Sequence, residues 1–74
     1  MLTGITYSAM AEMHLRDRHL TKEDVRYALQ HPLAIVEKGR TDDIRSRLSD
    51  NREIIVRIEH NSRPIRVIAV IAVT

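Results

Sequence analysis

The sequence predicts an α+β domain in which two N-terminal helices pack on a three- or four-stranded, mostly antiparallel sheet. Two changes of pattern carry that expectation. Apolar residues recur at helical spacing as far as His31, and after Pro32 they alternate or run continuously as β-branched stretches. The length adds a third constraint, because 74 residues suffice for one core and no second domain.

The first helix is expected over Ser8 to Arg18, a stretch free of Gly and Pro. One face collects Tyr7, Met10, Ala11, His14, Leu15 and Arg18, and the other carries Glu12, Met13, Arg16 and Asp17. Thr21-Lys22-Glu23-Asp24 then offers a capping box, with Thr21 as the cap and Asp24 reaching back three residues later. The second helix buries Val25, Ala28 and Leu29 and ends near Gln30 or His31, because Pro32 disfavours helical backbone before it.

Four strands follow. Leu33 to Glu37 is the first, and a loop around Gly39 to Asp43 leads to Ile44-Arg45-Ser46-Arg47-Leu48, where Ile44, Ser46 and Leu48 share one side and both arginines the other. Asp50-Asn51 makes a short turn. Glu53 to His60 places Ile54, Val56 and Ile58 together, and after the turn Asn61 to Pro64 the run Ile65 to Val73 is apolar except for Arg66. Helical spacing and strand alternation together give a core of Ala11, Leu15, Val25, Leu29, Ile54, Val56, Ile58, Val67 and Ile71. They leave Arg45, Arg47, Arg57 and Arg66 on the open sheet face, with Ile55, Ile68 and Val70.

Composition excludes several classes of function. With no cysteine there is neither a disulfide framework nor a thiolate nucleophile, and the two glycines cannot form a phosphate loop. No histidine shares a short spacing with another, so neither a metal site nor a cofactor is expected. Two tyrosines are the only aromatics, too few for stacking single-stranded bases. No stretch is long enough to cross a bilayer, and the N-terminus lacks a basic region followed by an apolar one; no membrane association and a cytoplasmic location are expected.

The charge is uneven. Ten of the twelve basic residues are arginine, and residues 44–74 carry six basic against three acidic groups while residues 1–43 carry six against seven. A surplus of arginine, whose planar fork matches phosphate, points to RNA or DNA contact through Arg45, Arg47, Arg57 and Arg66, with an ordinary solvated sheet face as the plain alternative. His14 and Arg18, one helical turn apart, form the candidate catalytic pair. An imidazole can take a proton from a ribose hydroxyl while a guanidinium holds charge developing on the phosphate. A hydrogen-bonded structural histidine, and an Arg18 paired with Asp24 or Glu37, are the competing expectations. His60, near Arg63, could contact phosphate or serve as a general acid, or simply be a solvated turn residue. The small size and exposed aliphatics lead us to expect self-association as a homodimer or stabilisation by a partner segment.

The run Ala11-x-x-His14-Leu15-x-x-Arg18-His19-Leu20-Thr21-x-x-Asp24-Val25-x-x-Ala28-Leu29-x-His31-Pro32 resembles the bacterial family catalogued as domain of unknown function 4258, grouped with the RelE and BrnT toxins. The resemblance covers most of the chain and implies a RelE-like fold. The family's leading His falls on Met10, its first Arg on His14, its second Arg on Arg18 and its Gly on His19. Met10 cannot act as acid or base, so that role passes to His14 or is missing. The resemblance implies a toxin of a type II toxin–antitoxin pair with a cognate antitoxin, cleaving RNA without metal by attack of a ribose 2′-hydroxyl on the adjacent phosphate. The alternative is a non-catalytic regulatory or nucleic-acid-binding module working through a protein partner, which the loss of the leading His favours.

Overall fold

The computed structural model describes residues 4–73. The elements in chain order are β1 (Ile5–Tyr7), α1 (Ala9–Asp17), α2 (Lys22–Gln30), β2 (Ala34–Glu37), β3 (Thr41–Arg47), β4 (Glu53–Glu59) and β5 (Ile65–Ala72). They form one five-stranded sheet in the order β1-β5-β4-β3-β2, antiparallel except where β1 runs parallel to β5. Both helices lie on one face, α1 against β5 and β1, α2 against β3 and β4. The α+β class and the helical hairpin match the expectation; the strand count and the parallel edge do not.

The difference at the N-terminus is local. Tyr7 belongs to β1 and not to the first helix, because Ser8 breaks in as an extended cap whose hydroxyl accepts from the Ala11 N–H at 3.0 Å. Three residues before that cap suffice to pair with Ile65, Arg66 and Val67. The capping box of α2 forms as expected, with reciprocal bonds of 2.9 and 3.1 Å between Thr21 and Asp24. Between the helices the backbone makes both bonds of a Schellman turn, Leu20 N–H to the Leu15 carbonyl and His19 N–H to the Arg16 carbonyl. His19 occupies the left-handed position at φ 53°, and Leu15 and Leu20 close the turn within the core.

β3 begins at Thr41, three residues before the expected start, because Gly39 at φ 87° and Arg40 close a two-residue hairpin directly. Asp42 and Asp43, expected within the loop, are buried strand residues held by partners described below.

The core holds Ala11, Leu15, Val25, Ala28, Ile54, Val56 and Val67 as expected, joined by Leu20, Leu48 and Val70. Leu29 and Ile58 pack against it half-buried. Ile71 and Val70 are exchanged relative to expectation. A bulge between β4 and β5 pairs Arg57 with Ala69 but Ile58 with Val67, so Ile68 is an extra residue and the alternation changes phase. Val70, opposite Val56, is therefore fully buried under the helices, while Ile71, opposite Ile55, turns to the open face.

Candidate functional site

The bulge explains where His14 sits. An extra strand residue leaves backbone groups without ladder partners, and α1 supplies them from two side chains. Ser8 Oγ donates to the Ile68 carbonyl at 2.8 Å, and the Val70 N–H donates to His14 Nδ1 at 3.2 Å. The Ser8 N–H adds a bond to the Val67 carbonyl at 3.0 Å. Because Nδ1 is an acceptor here, the imidazole tautomer that fits this bond carries its proton on Nε2. His14 is half-buried between α1 and β5.

Arg18 is the C-cap of α1, and among the described residues it makes no ion pair with Asp24 or Glu37. Another arginine stitches this corner. Arg52 donates from Nη1 to the Arg18 and His19 carbonyls at 3.4 and 3.0 Å, pairs with Asp50 at 2.7 Å and approaches Asp24 at 3.8 Å. The sequence offered a weak signal for it, a cation just after the Asp50-Asn51 turn.

The four sheet arginines do share the open face, as alternation and register require: Arg45 lies opposite Ile55, Arg47 opposite Glu53, Arg57 opposite Asp43, and Arg66 opposite Thr6. Three of them are paired. Arg57 makes a bidentate bond to Asp43 at 2.8 and 3.2 Å, with Lys38 on the same carboxylate at 2.9 Å. Arg45 pairs with Glu53, and Arg66 lies 3.8 Å from Glu59. Among the described residues, Arg47 is the member of the four with no carboxylate partner. The Arg57 bond, opposed by burial and aided by Lys38, holds the Asp43 carboxyl down to about 2. His14 and these arginines are not brought together, since α1 covers the opposite face.

A third cluster escaped the spacing rules because hairpin register creates it. Asp42 faces Glu37 across the β2–β3 ladder, a like-charge pair, and His60 Nδ1 lies 2.9 and 3.0 Å from the two Asp42 oxygens. The Asp42 hydrogen bond and charge, with Glu37 adding to them, push the His60 imidazole above its ordinary range, which favours a cation beside the two carboxylates. One donor atom from each of Glu37, Asp42 and His60 falls within 4.8 Å of the others, making these the residues that could hold a divalent cation. No family model matches the chain, and no curated protein or solved structure matches it either.

Proposed function

We propose that this chain is a non-catalytic interaction module that works through a protein partner. The observation that carries this reading is the Val70 N–H bond to His14 Nδ1. The imidazole that would serve as acid–base group is committed to the β5 bulge, on the helical side of a sheet whose arginines face the other way. Met10, at the position of the family's leading His, is 56% exposed and has no acid–base chemistry to offer. The pairing of Arg45, Arg57 and Arg66 with carboxylates further reduces the charge that a phosphate would meet.

A second reading is the toxin of a type II toxin–antitoxin pair acting as a metal-independent endoribonuclease. What supports it is the resemblance, together with four arginines on one open face and a left-handed His19 at the family's glycine position. A single assay separates the two. Purified protein incubated with a mixed-sequence RNA at low salt should give no cleavage under the module reading. Fragments ending in a 2′,3′-cyclic phosphate, lost on His14→Ala without a change in melting temperature, would overturn it.

A further inference from the structure

The apolar surface that asks for a partner is not the one the open face offered. Of the aliphatics expected there, Val70 is fully buried and Ile55 and Ile68 are half-buried. The exposed aliphatics cluster instead on and beside the edge strand β2, where Leu33, Ile35 and Val36 are 61, 57 and 53% exposed. The helices rest on β5, β1, β3 and β4, so β2 projects beyond them and is uncovered on both faces.

Among the described residues its outer edge is also unpaired. Lys38 N–H donates to the Thr41 carbonyl, which makes Lys38 and Thr41 a hydrogen-bonded pair of the ladder. By alternation Val36 and Ala34 point their backbone groups toward β3, leaving those of Ile35 and Glu37 directed outward. Soluble proteins usually blunt such an edge with a charge or a proline inside it. Here Pro32 and Lys38 stand only at the two ends, and the stretch between them carries a single charge, Glu37.

We infer that β2 pairs antiparallel with β2 of a second copy of this chain, extending the sheet across a two-fold axis through Ile35. This names the partner of the module reading and rests on it. One register lays the whole exposed stretch, residues 33–37, against itself. With Ile35 opposite Ile35 of the copy, Ala34 meets Val36 on the open face, Glu37 comes beside Leu33, whose own N–H is bonded to the Arg45 carbonyl at 2.7 Å, and no charge lies opposite another. Sliding the pair by two residues in either direction leaves only three of those five residues opposite one another, and sliding it by four toward Glu37 puts Glu37 opposite itself. The Ile35 pair exchanges both of its outward hydrogen bonds in the chosen register. On the open face, the shallow depression bounded by Ala34, Val36 and Ile55 would be narrowed by the copy's Val36. Two four-residue strands make an interface smaller than the roughly 1,000 Å² of a stable association, so dimerisation should depend on concentration.

The chain has no cysteine, which makes cross-linking a clean test. Residues opposite each other in such a pair have Cα atoms about 5.5 Å apart, inside disulfide range, whereas Val36 would lie diagonally from its own copy at roughly 8 Å. Under a glutathione redox buffer Ile35→Cys should become mostly disulfide-linked dimer, at least tenfold faster than Val36→Cys and than Met13→Cys, an exposed control on α1. Sedimentation equilibrium should show a mass rising toward twice the monomer for wild type and a monomer for Ile35→Lys, with the thermal melt of that variant at low concentration unchanged. A wild-type monomer at every concentration, with Ile35→Cys linking no faster than Met13→Cys, overturns the inference; a dimer in which Val36→Cys links fastest overturns the register. A monomer that cleaves no RNA leaves the module reading standing without this partner, while a β2 dimer that cleaves RNA does the reverse.

Discussion

Replacing Asp43 by Asn removes the charge that anchors Arg57 while keeping the shape of the side chain. Asp43 is 7% exposed, accepts two bonds from Arg57 and a third from Lys38, and its carboxyl is held at about 2 against an ordinary 3.8. At 1.36 kcal/mol per pH unit that gap corresponds to at most about 2.4 kcal/mol. The cations are 34% and 50% exposed, so solvent screening brings the figure to roughly 1–2 kcal/mol. A carboxyl whose folded pKa is depressed stabilises fully above its unfolded value and loses that contribution as pH falls toward the folded one. Asp43→Asn should therefore cost ~1–2 kcal/mol at pH 7, and the gap to wild type should close between pH 4 and pH 2. Urea unfolding followed by circular dichroism at pH 7, 5, 3 and 2 measures it. A gap that is absent at pH 7, or that persists at full size at pH 2, would refute the reasoning.

Other perturbations have equally definite outcomes. His14→Ala leaves the Val70 N–H without its acceptor and should cost about 1–3 kcal/mol in thermal melts, with His14→Asn, whose amide oxygen can accept, recovering part of the loss; equal melting of His14→Ala and wild type would count against the bulge assignment. His19→Gly relieves a left-handed residue and should stabilise by about 0.5–1 kcal/mol, a rise of a few degrees in Tm. The raised pKa of His60 gives a contribution that is full below the ordinary value of 6.5 and disappears as pH climbs through the raised value. Wild-type Tm should accordingly fall on the alkaline side of 6.5 relative to His60→Gln, and parallel pH profiles for the two proteins would rule this out.

Much of the fold could be read from local chemistry. The Thr21–Asp24 capping box, the helix stop before Pro32 and the alternation through Ile44 to Ile58 each depend on residues close in sequence, and each is found where expected. What was misread depends on distant partners. The three-residue β1 exists only because β5 offers a parallel edge, and Asp42 and Asp43 can be strand because His60, Arg57 and Lys38 reach them from β4 and the hairpin. Nothing in Ile65 to Ala72 marks a bulge, since every side chain there except Arg66 is apolar on either phase. That one extra residue moved Val70 into the core and gave His14 its partner, so the candidate site was legible in its residue types but not in its bonding. The grouping of the arginines on one face was legible; their neutralisation by Asp43, Glu53 and Glu59 was only half so, because cross-strand register decides which carboxylate meets which cation.

The bond from the Val70 N–H to His14 Nδ1 ties α1 to the β5 bulge. A long-range ¹⁵N–¹H correlation spectrum of the purified chain near pH 7.5 tests it most directly, because it reports which ring nitrogen of His14 carries the proton and whether the other is bonded to an amide. The expected result is a single tautomer with the proton on Nε2, a coupling between Nδ1 and the Val70 amide proton, and slow solvent exchange of that amide. A proton on Nδ1, or two tautomers in exchange beside a rapidly exchanging Val70 amide, would contradict it.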